Sequence, residues 1–529
     1  MLKKIYDSRF KSLLVIGALT ILAFSSIFPN KFVLDDFDYI VNWPLIQDWK
    51  NLPRFFIGFS PPEGQDGIYS PLKTLFHALT YHLFGLRPLG YHVVSLFIHL
   101  AGTYFVYRII LFLTKENCAA FLGGLFFGLH PAPTEIIFNI TGSIDALGVV
   151  FLFAAFYEYF KARDPAGGLK TGGYIRCLLY ALLAIYTHEL CVAIPLLFLW
   201  VEVCFFRDKM AWSKRLMRVA PFFMITGSYV LAKFLTLKSI TRGGYLYDSF
   251  YLTMLVIIKA WAQYVLISFF PVVLTHNHVI SKGIYSFDAP DFDKAAVLSQ
   301  SLLDPQVLLS LVFLGGIFTA AARAWNKQPL VPFCVGWFFI SLLPGANIIP
   351  SSVYFAERYL YPGMMGFCLL CGVFFSRLLQ SPKTLGFIRR SFLAGLIVFS
   401  LGTFYAVRTW WRGRDFRNNV TLFESAVRAN PRSALMRTDL GIVCTWQGEY
   451  EKALASLEKA AAIRPEDPAI YFAMAGAYYN LAGLYAFWGM DLQARSSLSN
   501  ALLYFRKRGE AHKAQEFEKA FTERFGILK

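Results

Sequence analysis

The sequence predicts an all-α protein in two parts: a polytopic membrane helix bundle over 1–410, then a short helical repeat domain over 411–529. Three observations predict it. Hydrophobic residues make up 56% of the 529 and charged residues only 16%, where an ordinary soluble chain carries roughly 25% charged. Up to residue 410 the charges fall in short breaks between long apolar runs, the pattern of a membrane body. Beyond it the chain turns polar, and its small residues recur at the spacing of a helical repeat.

The first span follows a basic start, Lys3, Lys4, Arg9 and Lys11, and covers the apolar run Leu13 to Phe28. No small-x-small cleavage site follows, so it is expected to stay attached. Crossing the hydrocarbon takes about 20 apolar residues. Runs of about that length lie at 12–29, 91–113, 117–130, 145–160, 174–187, 190–206, 217–236, 306–322, 329–347, 360–377 and 391–408, which predicts about eleven spans. Basic breaks set orientation in a bilayer. Lys161, Arg163 and Lys170, then Arg207, Lys209, Lys214, Arg215 and Arg218, then Arg377, Lys383, Arg389 and Arg390, all fall on one side with the N-terminus. That holds only if the further apolar stretch 251–274 does not cross, so it is expected to be re-entrant or interfacial. The outer side then receives 30–90, 131–144, 187–189, 237–305, 348–359 and the tail. Arg408, Arg412, Arg414 and Arg417 lie on that side, against the charge bias, which leaves a cytoplasmic tail as the alternative.

This placement also interprets the net charge of +17. The cations sit between apolar runs and form no basic stripe on a soluble face, which excludes nucleic acid as a partner. Of eight cysteines, seven fall in apolar runs, so no disulfide framework is implied. Cys368 and Cys371 form C-x-x-C inside such a run and are read as packing residues.

In the tail, Asp439-Leu440-Gly441, Gly448-Glu449-Tyr450, Ala453, Leu457, Ala460 and Pro465 spell one tetratricopeptide unit. Gly441, Ala453 and Ala460 let two antiparallel helices approach, and Pro465 ends the second. Phe423, Ala426 and Pro431 repeat this register 34 residues earlier. Leu498 and Ala501 repeat it 41 residues later, one period plus seven. Seven residues are about two helical turns, so a lengthened helix around Tyr478 to Trp488 is expected. Such stacks bind a protein partner or cap a neighbouring domain, and the fold alone does not choose.

The chemistry concentrates in the outer segments. The first opens with Phe32-Val33-Leu34-Asp35-Asp36-Phe37-Asp38-Tyr39, three carboxylates at a membrane exit. Adjacent carboxylates repel, which raises one pKa and poises a base for an acceptor hydroxyl. The same loop adds Lys73, His77, His82, Arg87 and His92; the next adds His130, Glu135, Asn139 and Asp145. A tight turn carries Thr187-His188-Glu189, and a later loop carries Glu357-Arg358-Tyr359. Ionisable groups at membrane depth are functional suspects. Bases, acids and cations together suit attack on an anomeric carbon with a phosphate leaving group, Arg being matched to phosphate by its planar fork. Clustered acids also suit a divalent ion such as Mg or Mn; no Cys/His spacing points to zinc.

At these residues the chain resembles the GT-C glycosyltransferases, most of all the transmembrane and tetratricopeptide-repeat O-mannosyltransferase group and its bacterial relatives. The matching stretches are Phe32 to Asp36; Tyr69-Ser70-Pro71-Leu72; Gly90-Tyr91-His92 through His99; Leu129-His130-Pro131 to Glu135; Gly142-Ser143-Ile144-Asp145-Ala146-Leu147; Thr187-His188-Glu189; and Phe355-Ala356-Glu357-Arg358-Tyr359 to Pro362. The chain departs from the group where Thr187-His188 replaces a usual Ser-Lys, and where Ser70 and Ser143 replace frequent arginines. The resemblance implies a polyprenyl-phosphate sugar donor, a hexose such as mannose, and a protein or glycan acceptor. It implies Asp35 and Asp36 as catalytic residues, Asp35 first. Lys73, His92, Glu135, Asp145, His188, Glu189, Glu357, Arg358 and Tyr359 are then the substrate-binding candidates. It implies a multi-pass protein of a bacterial inner membrane, with active site and repeats on the extracytoplasmic side. Two other functions remain open: an oligosaccharide ligase or polymerase on a lipid-linked glycan, and a non-catalytic scaffold whose repeats gather partners. A transporter fits less well, because the charges favour loops over mid-span positions.

Overall fold

The computed structural model describes residues 6–57, 69–163, 168–206, 211–241, 243–275, 301–351, 353–382, 384–385, 388–465 and 467–526. Lys3, Lys4, Arg207, Lys209 and Lys383 lie outside them. The described residues are almost entirely helical and divide into two compact units, the first ending at Asn418 and the second running on from Asn419.

Among its described residues the first unit contains thirteen main helices: α1 (Arg9–Phe24), α2 (Pro71–Phe84), α3 (Pro88–Thr114), α4 (Asn117–Leu129), α5 (Ile140–Ala162), α6 (Thr171–Thr187), α7 (Ile194–Phe205), α8 (Trp212–Leu237), α9 (Phe250–Phe269), α10 (Pro305–Ala324), α11 (Leu330–Leu342), α12 (Leu360–Leu379) and α13 (Arg390–Asp415). Prolines open α2, α3 and α10, where a missing N–H costs nothing. Asn139, Ser249 and Asp304 cap α5, α9 and α10 by accepting free amides. A two-residue ladder, Thr384–Leu385 with Ile388–Arg389, links α12 to α13.

Each of the eleven predicted spans coincides with a helix, but not all are long. Eight helices among the described residues are long and apolar enough to cross a bilayer; the pair 117–129 and 132–138, bent by 55°, is a broken span, which makes nine, or a re-entrant loop. Three predicted spans, α6, α7 and α11, hold 17, 12 and 13 residues. Apolar runs continue past their helix ends into turns at 188–193 and 343–345, so hydropathy overstated their length.

Helix α5 sits at the centre, 83% of its apolar window buried, and nearly every residue of α4 is buried. Close backbone approach holds α4 to α12: a Cβ on Gly372 would lie 2.5 Å from the Ala119 carbonyl oxygen, and one on Gly123 2.9 Å from that of Cys368. Small residues at such crossings replace hydrophobic driving force with backbone packing.

Helix α9, predicted not to cross, has the length of a span, 20 residues. Its contacts are nevertheless to one end of the bundle. Before it, Tyr245 Oη donates to the Ile348 carbonyl at 2.9 Å. Along it, Trp261 packs on Phe339 in the last turn of α11, and Tyr264 stacks on Phe355. At its end Ser268 presents its carbonyl to His130, and Thr275 N donates to Glu357 at 2.7 Å. Ile348, Phe355, His130 and Glu357 lie on segments joining helices at the same end, and Phe339 lies in the last turn before one of them.

Helix α13 continues to Asp415, past the boundary predicted at 410. Asn30 Nδ2 donates to the Gly413 carbonyl at 3.0 Å, and Lys31 N to that of Arg417 at 3.0 Å. The arginines that oppose the charge bias are thereby explained. Arg408 Nε donates to the Val272 carbonyl at 3.2 Å, Arg414 stacks on Trp410 and Trp411, and Arg412 is fully buried. Arg412 pairs with Glu357 at 3.6 Å and Asp415 at 3.2 Å.

The second unit holds α14 (Asn419–Ala429), α15 (Ala434–Trp446), α16 (Tyr450–Ile463), α17 (Pro468–Phe487), α18 (Asp491–Lys507) and α19 (Ala511–Phe525). Ala453, Leu457, Ala460 and Leu440 share one buried cluster with Ala473 and Ala477. A Cβ on Gly441 would collide with Leu457, the small-residue approach expected there. Helix α17 has 20 residues against 13 in α15, the two extra turns the shifted register predicted.

Arg412→Leu strands the buried Glu357 carboxylate. Removing one partner of a buried pair costs roughly 3–5 kcal/mol. The variant is expected to unfold well below the wild type in a detergent thermal melt, and an unchanged midpoint would refute the structural role.

Candidate active site

The acidic pair splits on folding. Asp36 is fully buried, and Asp35 is exposed. Asp36 Oδ2 accepts the Val33 amide at 3.0 Å, which closes a tight turn. Its Oδ1 accepts the Thr141 amide at 2.8 Å and hydroxyl at 2.7 Å. The turn drives Leu34 into the left-handed region, φ 50°, and leaves Asp35 on the outside. The Asp35 carboxylate makes no hydrogen bond or ion pair among the described residues. Burial pushes Asp36 up to about 6 and the Asp35 charge adds to the rise, although its three donors partly oppose it. Asp38 is raised as well, by partial burial and then by Asp35.

Thr141 opens α5, and Asp145 lies one turn further on. Lys73 Nζ from α2 meets Asp145 Oδ1 at 2.7 Å, both buried, and lies 5.5 Å above the Tyr39 ring. His188 approaches the same oxygen at 3.4 Å through Nε2. Its Nδ1 accepts the Leu190 amide at 3.2 Å, so the proton sits on Nε2, facing Asp145. Next to it, Glu189 pairs with Lys233 of α8 at 3.0 Å. Glu135 receives both the Arg358 guanidinium, at 2.5 Å, and the Arg358 amide, at 3.3 Å.

A cavity of about 440 Å³ opens beside this network. His188, Glu189, Lys233, Arg358 and Tyr359 supply its polar wall; Leu196, Val230, Ile240, Leu343, Ile348 and Ile349 supply an apolar one. Arg358 keeps 28% of its side chain exposed, so it faces the cavity while bound to Glu135.

Two expected binding residues do not join this wall. His92 is buried, with Nε2 against the Asn30 carbonyl at 3.1 Å. Glu357 is buried against Arg412 and the Thr275 amide. Both hold backbone in place. A divalent ion needs several oxygen ligands. Among the described residues no three His, Cys, Asp or Glu side chains converge, and Glu135, Asp145 and Glu189 each face a cation. Among the described residues these acids therefore make up no preformed divalent site.

A family model for the tetratricopeptide (TPR) repeat matches residues 441–481. The chain is 27% identical to protein O-mannosyl-transferase F38B6.6 of Caenorhabditis elegans, over 82% of this chain and 60% of that protein. It is 25% identical to Tmtc3 of Drosophila melanogaster, over 78% and 50%, and 24% identical to human TMTC3, over 88% and 53%. The chain resembles the protein O-mannosyl-transferases. It spans about half to three-fifths of the length of these curated relatives. The chain also has a low-scoring likeness to two solved structures. ArnT from Cupriavidus metallidurans bound to undecaprenyl phosphate matches at TM-score 0.40 and 15% identity, over 96% of this chain and 78% of its own. The Archaeoglobus fulgidus oligosaccharyltransferase tethered to an acceptor peptide matches at 0.45 and 12%, over 78% and 55%.

Folding brings Asp36, Lys73, Glu135, Asp145, His188, Glu189, Arg358 and Tyr359 to one end of the bundle. Lys233 and Thr141 were not singled out in the sequence. Lys233 lies inside a predicted span, where an ionisable residue is itself a signal; Thr141 carries none.

The raised pKa of Asp36 gives a signed expectation. A carboxyl raised on folding favours the protonated state. Its contribution is full below the ordinary value of 3.8 and is lost as pH rises through about 6. Melting midpoints should show this fall, and Asp36→Asn should flatten it; an equally steep profile in the variant would refute the assignment.

Proposed function

We propose that the chain transfers a hexose, mannose first, from a polyprenyl-phosphate donor to an acceptor hydroxyl, with Asp35 as base. The observation that carries this is the isolation of Asp35. Asp36, Glu135, Asp145, Glu189 and Glu357 are engaged by donors or cations, whereas Asp35 is exposed at the same end of the bundle with no partner among the described residues. In this scheme the acceptor oxygen attacks C1, the bond from C1 to the phosphate oxygen breaks, and Asp35 takes the hydroxyl proton. A single displacement inverts the anomeric centre. Arg358 and Lys233, at the polar wall of the cavity, stabilise the phosphate as charge develops, and the apolar wall receives the first part of the prenyl chain. Lys73 and His188 hold Asp145 in place for the sugar. The names of the relatives favour a protein Ser/Thr acceptor, which the repeats would select. The basic end of the bundle is then cytoplasmic and the active site extracytoplasmic.

Purified protein with polyprenyl-phosphate mannose and an acceptor should release polyprenyl phosphate. Asp35→Asn is expected to slow release by about 10²- to 10⁴-fold, the range of a general base, with its melting midpoint unchanged. Transfer that survives at full rate would remove Asp35 from the mechanism. Because positive charge here comes from Arg358 and Lys233, transfer is also expected to persist in EDTA. A restored requirement for Mg or Mn would return the acids to a ligand role.

A further inference from the structure

The repeat unit carries an apolar edge that the transfer chemistry does not use. Eight large hydrophobic side chains are exposed in this unit among the described residues, and five lie at two helix turns: Trp446, Phe487, Trp488, Met490 and Leu492. Trp446 ends α15, and the other four surround the α17–α18 turn. The two turns are built alike. Gly448 at φ 78° and Gly489 at φ 72° each follow the end of a helix, with the next amide reaching back to the carbonyl five residues earlier. Phe487, at 80% exposed, and Leu492, at 82%, are nearly bare.

These turns share an edge with the start of the unit. Ser456 Oγ donates to the Arg437 carbonyl, so α15 and α16 are antiparallel. Lys452 pairs with Glu424, so α14 and α16 begin at the same level. The Tyr478 and Tyr504 rings stack, so α17 and α18 run antiparallel about their turn. The α15–α16 turn, the α17–α18 turn and Asn419 therefore lie along one edge. Helix α17 is seven residues longer than α15, which carries its tip about 10 Å further out.

That edge is where the unit is joined to a membrane helix. Residues 416–418 alone separate α13 from α14, a reach of at most about 14 Å. Helix α13 has 26 residues, roughly 39 Å against a hydrocarbon core of about 30 Å. Its last turns carry the partly exposed Trp410 and Trp411 beneath Arg414, at 5.3 and 4.8 Å, the residue types of a bilayer boundary. The joint is thus at the interface, and the three-residue connection tethers Asn419, on the same edge of the repeat unit as the aromatic tips, to it.

We propose that this edge is a lipid-contacting surface, with Trp446, Phe487, Trp488 and Leu492 seated in the headgroup region of the membrane that α13 crosses. Indole rings favour that depth, apolar in body and polar at N–H. Side chains standing on convex turn tips suit a deformable surface better than a peptide, which a repeat stack takes on its concave face. The contact restrains the repeats by a second attachment beside the covalent one, which raises their effective concentration at the membrane surface. It rests on the membrane body and is independent of the transfer reaction.

The test uses the full chain in nanodiscs of phosphatidylethanolamine and phosphatidylglycerol. Leu492→Cys, at an exposed position, is labelled with the fluorophore NBD; Arg432→Cys, in the exposed turn on the opposite edge, is the control, and unlabelled native cysteines set the blank. The expected result is loss of emission at 492 with headgroup-nitroxide lipid, little loss with aqueous iodide, and the reverse at 432. Quenching at 492 by iodide alone would overturn the proposal. Protection of 492 from both quenchers would overturn it equally, and would place a protein surface, such as a second copy, over the edge.

Discussion

The buried carboxylate of Asp36 is the constraint on which the site depends. One side chain ties the exit of α1 to the start of α5 through the Val33 amide and both donors of Thr141. Taking a carboxylate out of water is unfavourable unless its lone pairs are filled. Here three donors fill them, and the shift to about 6 records what burial still costs. The same turn holds Leu34 at positive φ, a conformation that is unfavourable by about 1–2 kcal/mol for a residue with a Cβ. The Asp36 hydrogen bonds offset that strain. Asp35 is thereby presented outward while the chain around it is fixed. The two neighbours are one device: the second holds, the first is held out.

The remaining acids obey a pairing rule set by low dielectric. Separate cations meet Asp145, Glu189, Glu135 and Glu357, in that order Lys73, Lys233, Arg358 and Arg412. Removing one partner of the closed pairs would leave a buried charge, at a cost of roughly 3–5 kcal/mol. Three of the pairs also differ in what they leave open. Lys73 and Asp145 close on each other, at 7% and 8% exposed. Arg358 and Glu189, at 28% and 26%, keep a face toward the cavity. Positive charge at an apolar-walled opening is the combination that an amphiphilic phosphate requires, whereas the closed pair of Arg412 and Glu357 is scaffold.

What the sequence shows and hides follows from this physics. The bundle is legible because apolar runs must cover a helix, and the repeat is legible because its small residues recur at a fixed period; even its two-turn insertion is visible as a shift of seven. Burial is not legible at residue level. Asp35 and Asp36 look equivalent as neighbours, and only the turn separates exposed from buried. His92 and Glu357 carry the same marks as site residues, yet they hold the backbone of Asn30 and Thr275. Lys233 was hidden for the opposite reason: it lies within an apolar run, and its partner Glu189 is 44 residues away in sequence. Helix ends were misjudged where apolar runs pass through turns, as at 188–193, since lipid-facing and core-facing turns use the same residues.

The placement of α9 decides how charge is distributed over the bundle. The ends of α5, α7, α10 and α12 lead into breaks with Lys161 and Arg163, Lys214 and Arg215, Arg323 and Lys327, and Arg377 and Arg390. Contacts such as Arg377 with Gln328, at 3.4 Å, and Tyr174 Oη with the Arg218 carbonyl link these breaks at one end. The candidate site occupies the other. That separation requires the chain to leave α8 and enter α10 at the site end, which follows if α9 runs along that end, as its contacts with Ile348, Phe339, Phe355 and Glu357 indicate. Had it crossed, every later basic break would share an end with the site. The arginines of α13 are then no exception to the rule. Arg408, Arg412 and Arg414 lie at the site end because carbonyls, carboxylates and indole rings engage them there, so they report packing and not orientation.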